Sequence, residues 1–91
     1  MHQTISILVS GKVQGVFFRQ STKETALRLN ITGEVKNLDN GKVEIQATGT
    51  KKDLDEFVSW CRQGPPKAIV KEVQVHVIPL KVFKDFIIIR F

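Results

Sequence analysis

The chain has 91 residues, of which 42% are hydrophobic and 25% are charged, and its formal net charge is +5. This length allows one compact domain with a modest core, so we expect residues 1–91 to form a single domain. The net positive charge favours anionic binding partners. Because the lysines and arginines are scattered along the chain, the composition argues against a nucleic-acid-binding surface.

The cysteine content and the N-terminus bear on where the protein works. Cys61 is the single cysteine, so an intrachain disulfide is excluded. The first four residues lack the basic and apolar regions of a secretory signal, and no apolar run approaches the roughly 18 residues that a membrane span requires. We therefore expect a cytoplasmic protein without a membrane partner, and a monomer by default.

The first half of the chain predicts a strand, a helix and a hairpin. Apolar and polar residues alternate over residues 4–10, as in a half-buried inner strand. A helical pattern runs from Arg19 to about Asn30, which is expected to end the helix in a left-handed conformation. Short strands at residues 33–37 and 42–48 then flank an Asn-Gly dipeptide, which favours a hairpin turn.

The second half predicts another helix and two more strands. Thr50 and Asp53 resemble a capping box at the start of an amphipathic helix, which Gly64 should end. Alternating valines at residues 73–77 and the apolar run 86–91 predict the strands. The whole order predicts an α+β sandwich of the ferredoxin-like split βαβ type, with a mostly antiparallel sheet of four or five strands and both helices on one face.

The segment between the first strand and the first helix reads Gly11-Lys12-Val13-Gln14-Gly15-Val16-Phe17-Phe18-Arg19. A strand that enters a helix through such a loop directs backbone N–H groups into one concavity, with the positive end of the helix dipole behind them. Gly11 and Gly15 are expected to let the backbone curl and approach a ligand, while the planar fork of Arg19 suits two phosphate oxygens. The segment therefore predicts a phosphate site, although a purely structural loop fits this geometry equally well.

Three separated segments resemble the acylphosphatases, enzymes that hydrolyse the mixed anhydride between a carboxylate and phosphate. The string 11–19 resembles the family's N-terminal signature, and Gly33-Glu34-Val35-Lys36-Asn37 before the Asn-Gly turn resembles its second signature. Trp60 followed by residues 64–70 is similar to the family's stretch after its second helix. The resemblance spans nearly the whole chain and implies one acylphosphatase-like domain over residues 1–91. Two positions depart from the family, which often has Trp at Glu34 and Asp at Asn40.

The resemblance implies a hydrolysis that needs no metal ion or other cofactor. A carboxylate leaves readily, so the enzyme has only to neutralise the phosphoryl oxygens and hold one water in line. Asn37 would orient that water, and the Phe91 carboxylate, as in some family members, would hold Arg19. The expected catalytic residues are Arg19 and Asn37, and the expected substrate-binding residues are Gln14, Gly15, Val16, Phe17, Phe18 and Arg19.

Other interpretations remain open at this stage. Without the resemblance, Asn37 is more typical of a structural turn residue. A non-enzymatic anion- or RNA-binding module on the same fold is the alternative function, although residues 43–47 offer none of the aromatics on which RNA bases stack. A domain from a larger carbamoyl-handling maturation protein would be followed by zinc-binding segments, which the sequence lacks. We expect surface positions for His2 and His76, a buried position for Cys61, and a packing role for Trp60 just off the apolar stripe of its helix. Phe17 and Phe18 are expected to divide between core packing and the rim of the site.

Overall fold

The structure, a computed structural model, describes residues 1–90. Its elements follow the predicted order, and the main differences are longer first, third and fourth strands and a last strand that ends at Ile89. Neither helix in this range is long and apolar enough to cross a membrane. The elements are β1 (His2–Lys12), α1 (Phe18–Arg28), β2 (Thr32–Asn37), β3 (Val43–Thr50), α2 (Lys51–Gln63), β4 (Ile69–Ile78) and β5 (Phe86–Ile89).

The five strands form one sheet in the order β4-β1-β3-β2-β5. All neighbours are antiparallel except β2 and β5, which run parallel. β1 and β3 therefore lie inside the sheet, as the alternation of apolar residues predicts for β1. With both helices packed on one face, this is the predicted α+β ferredoxin-like arrangement, and the sheet is mixed because of its β5 edge.

The core lies between the helices and the apolar face of the sheet. Ile7 of β1 pairs with Ile45 of β3, and both are fully buried. Phe57 of α2 packs edge-on against Phe86 of β5, with ring centroids 6.1 Å apart. Cys61 is buried on the same side of α2, as predicted, and its desolvation raises the pKa of the thiol. An unreactive core thiol follows from this position.

Local end signals set the helix boundaries. The Thr50 hydroxyl accepts a hydrogen bond of 3.2 Å from the Asp53 N–H, which confirms the predicted cap of α2. Asn30, with φ of 58°, follows the end of α1 in the left-handed conformation expected for it. Gly64 ends α2 with φ of 71°. The predicted stops were therefore correct, because each depends on neighbouring residues alone.

The opposite face of the sheet carries a buried polar group that we call the threonine cluster: Thr4, Thr48 and the main chain of Lys81. The two hydroxyl oxygens lie 2.6 Å apart. Thr48 donates to the Lys81 carbonyl at 2.7 Å, and the Lys81 N–H donates to Thr4 at 2.8 Å. The cluster thus anchors the segment that leads from β4 to β5 across the sheet.

Candidate active site

A cleft of about 460 Å³ opens where the β1–α1 loop meets the end of β2. It contains Arg19 and Asn37, so the structure brings the two predicted catalytic residues together from separate elements. Of the predicted substrate-binding residues, five contribute to its wall: Gln14, Gly15, Phe17, Phe18 and Arg19. Val16 is instead buried in the core, and its predicted contact through the backbone N–H stays a prediction.

The loop backbone turns sharply at alternate residues. Gly15 has φ of 74° and Phe17 has φ of 62°, both in the left-handed region. A Cβ on Gly15 would meet no atom within 4 Å, so conformation and not space favours glycine there. Left-handed residues within a turn aim successive N–H groups toward one side, which is the geometry of an anion-binding nest.

No side chain of α1 caps or neutralises the positive N-terminal end of the helix. Its N-cap residue, Phe17, makes no side-chain cap, and the first turn holds no acidic residue. Arg19 is partly buried in that turn and forms no salt bridge with any residue from 1 to 90. Unpaired N–H groups, the helix dipole and a guanidinium therefore converge on one place, and together they favour an anion. The carboxylate of Phe91, the other expected partner of Arg19, lies outside the described residues.

Gln14 ties the loop to the β2–β3 hairpin. Its side-chain amide donates to the carbonyls of Leu38 at 2.8 Å and of Lys42 at 2.9 Å. These two residues close the hairpin, since the Leu38 N–H donates to the Lys42 carbonyl at 2.8 Å. Sequence reasoning assigned Gln14 only a backbone contact with substrate. The structure adds a side-chain clamp that holds the end of β2, and with it Asn37, against the loop.

Asn37 is the last residue of β2 and pairs with Val43 of β3. Its side-chain oxygen Oδ1 is buried and has no hydrogen-bond partner within residues 1–90. Leaving a buried acceptor unpaired costs about 1–3 kcal/mol, so folded proteins rarely retain one without a use for it. The terminal torsion of an asparagine is broad, and rotation about it presents either the oxygen or the NH₂ group to the cleft.

Arg90 also lines the cleft, and sequence reasoning missed it. It follows β5 directly, and the parallel register sets Ile89 beside Lys36 of β2, so Arg90 comes level with Asn37 at the strand ends. A lone cation after an apolar strand is typical of ordinary surface. Only the pairing of β5 with β2 gives this one a place in the site.

Gly11 differs from its predicted role. It lies within β1, where the pairing with β4 shifts between Ser10 and Gly11. A Cβ there, at φ of 125°, would stand 2.2 Å from the Ile69 carbonyl oxygen. The prediction that Gly11 lets the backbone approach a ligand is therefore wrong, because the group that approaches it is the backbone of β4.

The two phenylalanines of the loop divide as predicted. Phe18 is buried, and its ring packs against Trp60 with centroids 5.5 Å apart. Phe17 lines the cleft with 76% of its surface exposed. Among residues 1–90, no three His, Cys, Asp or Glu side chains are grouped where they could hold a metal ion.

The chain is similar to known acylphosphatases in both sequence and structure. A family model described as acylphosphatase matches residues 5–88. An acylphosphatase from Rubrobacter xylanophilus is 49% identical over 75 residues, which cover 82% of this chain and 68% of that protein. The structure of an acylphosphatase from Coxiella burnetii superposes with a TM-score of 0.93 at 41% identity, covering 96% of this chain and 92% of the other. The crystal structure of an acylphosphatase from Bacillus subtilis superposes with a TM-score of 0.94 at 35% identity, covering 99% of this chain and 100% of the other.

Proposed function

The chain belongs to the acylphosphatase family, and from that premise we propose how its own residues hydrolyse an acyl phosphate to a carboxylate and inorganic phosphate. The departing carboxylate is stable as an anion, so a general acid is unnecessary. What the site must supply is neutralisation of the phosphoryl oxygens and an in-line water about 3 Å from phosphorus.

The phosphoryl group binds in the β1–α1 loop. In this proposal the backbone N–H groups of residues 14–19 surround its oxygens. The Arg19 guanidinium donates hydrogen bonds to the same oxygens as negative charge develops on them in the transition state. The left-handed residues Gly15 and Phe17 and the uncapped start of α1 support this placement. Arg90 adds a second positive charge to the same cleft.

The attacking water is held by Asn37. The observation that carries this assignment is the buried side-chain oxygen without a partner, in the same cleft as Arg19. Rotation about the terminal torsion turns this oxygen toward the cleft, where a water that donates to it satisfies it and is aligned by it for attack. The Gln14 clamp supports the arrangement, since it ties the strand end that carries Asn37 to the phosphate loop.

We further propose that residues 1–91 act as a single monomeric domain on small acyl phosphates in the cytoplasm. The exposed face of β3 carries Glu44 and Gln46 and no aromatic ring, which argues against the RNA-binding alternative. Cys61 is the single cysteine, and its burial is consistent with a compartment where disulfides are rare.

The test is hydrolysis of benzoyl phosphate in excess chelator, with the intact chain and with Arg19→Ala. We expect chelator-insensitive turnover that Arg19→Ala lowers at least about 10³-fold, as for loss of a guanidinium that stabilises a phosphoryl transition state. Inorganic phosphate should raise the Tm of the intact chain and not that of the variant.

Arg28→Ala is the matched control, because Arg28 lies in the last turn of the same helix. Its activity and its stabilisation by phosphate should stay at the level of the intact chain. Equal stabilisation of the Arg19→Ala variant by phosphate would refute the assignment of Arg19 to the anion site.

A further inference from the structure

Phe17 combines two unfavourable features in one residue. Its ring is 76% exposed, although its neighbours Val16 and Phe18 are both buried. Its backbone has φ of 62°, a conformation in which a bulky side chain is strained. The fold gains no core packing from this ring, so neither feature is explained by stability.

The position of the ring suggests its use. Phe17 lines the same cleft as Arg19, and at about 460 Å³ that cleft offers room for more than a phosphate group. In-line attack sends the leaving carboxylate away from the water that Asn37 holds, so the acyl group extends outward from the phosphate loop. Phe17 is the exposed apolar side chain of that loop.

We propose that the ring of Phe17 is the contact surface for the acyl group, and that it favours acyl phosphates with a flat apolar or aromatic acyl group over acetyl phosphate. The proposal rests on the proposed function, because it assumes that the phosphoryl group sits in the loop. The backbone of Phe17 is fixed at the N-cap of α1, and its ring has only two side-chain torsions to order when a flat acyl group stacks on it.

The experiment compares kcat/KM for benzoyl phosphate and acetyl phosphate in the intact chain, Phe17→Asn and Phe17→Trp. Asparagine tolerates the left-handed conformation, so Phe17→Asn removes the ring while keeping the loop. We expect the benzoyl-to-acetyl ratio to fall about 3- to 10-fold in Phe17→Asn, because benzoyl phosphate loses a stacked contact that acetyl phosphate never makes. Phe17→Trp retains an aromatic face and should keep the ratio.

Leu27→Ala removes an exposed apolar side chain elsewhere on α1 and should leave the ratio unchanged. An unchanged ratio in Phe17→Asn would overturn the proposal, and so would an equal loss with both substrates, which would assign Phe17 to loop geometry alone. Failure of the proposed function would be visible separately, as undiminished turnover of both substrates in Arg19→Ala.

Discussion

Two buried polar sites in this small protein differ in whether their polar atoms have hydrogen-bond partners. In the threonine cluster, the hydroxyls of Thr4 and Thr48 are both hydrogen-bonded, to each other and to the main chain of Lys81. At the cleft, the Asn37 oxygen is buried without a partner in the described part of the chain. The first arrangement stabilises the fold, whereas the second costs stability. An unpaired acceptor on a residue that lines the same cleft as Arg19 is therefore better explained by the proposed reaction than by folding.

Among the variants that test this difference, removal of the Asn37 side chain should lower kcat the most. We expect Asn37→Ala to lower kcat about 10²- to 10³-fold, as for loss of one preorganised hydrogen bond in a transition state. Phosphate affinity should change little, and the free energy of unfolding should not fall, since the variant removes an unpaired buried acceptor. Steady-state kinetics and denaturant unfolding measure the two quantities.

Asn40→Ala is the control within the same hairpin. The Asn40 oxygen accepts from the Lys42 N–H at 3.0 Å and is exposed, so its removal should leave kcat unchanged. If Asn37→Ala weakened phosphate binding as much as it lowered kcat, the water-orienting role would have to be abandoned.

Loss of the two Gln14 side-chain hydrogen bonds should lower kcat by an intermediate amount. Gln14→Leu removes two hydrogen bonds between the loop and the hairpin, worth about 1 kcal/mol each. Because small displacements of positioning groups are costly, kcat should fall about 10- to 10²-fold, with a smaller change in phosphate affinity. Both are measured by kinetics with phosphate as a competitive inhibitor.

Gln46→Leu tests whether any glutamine hydrogen bond would matter. Gln46 accepts from the Lys81 side chain at 3.0 Å on the open face of the sheet, and its loss should leave kcat unaltered. A Gln14→Leu variant with normal kcat and reduced stability would show that the clamp serves folding alone.

The threonine cluster should respond in stability and not in activity. Thr48→Val keeps the shape of the side chain but removes its bonds to the Lys81 carbonyl and the Thr4 hydroxyl, at a cost of about 1–3 kcal/mol. The longer bond of 3.3 Å from the Thr4 hydroxyl to the same carbonyl would remain. For a domain of this size, that cost corresponds to a Tm lowered by about 4–8 °C per kcal/mol. The kcat of the folded variant should be that of the intact chain.

A double-mutant cycle with Thr4→Val tests the cluster as a unit. The two substitutions remove the same network, so the double variant should cost less than the sum of the single ones. Strict additivity, or a loss of kcat in either single variant, would mean that the cluster is not a separate structural site.

Much of the architecture follows from short-range patterns. The cap at Thr50, the stops at Asn30 and Gly64 and the alternation in β1 depend on residues within a few positions of each other, and the structure confirms all of them. Strand ends were less predictable. β4 begins at Ile69, earlier than the alternating valines indicate, because its pairing with β1 extends through the register shift at Gly11.

The site divides in the same way. The loop 11–19 and the segment that ends at Asn37 could be proposed for the site because each forms a contiguous signature, and the family model matches residues 5–88, which include both. The side-chain role of Gln14 could not, since its acceptors lie 24 and 28 positions away and come within reach only when the hairpin packs against the loop. Gly11 was misassigned for a related reason, as its neighbour across the sheet is Ile69.

The amino-acid sequence by itself determined the order of elements, and it indicated the loop in which we propose that phosphate binds and the roles proposed for Arg19 and Asn37. Periodicity, caps and signature residues act locally, so a sequence shows them directly. Only the tertiary structure decided which distant groups share the cleft. It set Arg90 beside the end of β2 through a parallel strand pair and left Phe17 exposed at the cleft while burying Phe18. Contacts of this kind depend on how the elements pack, and that information is not present in any single segment of the chain.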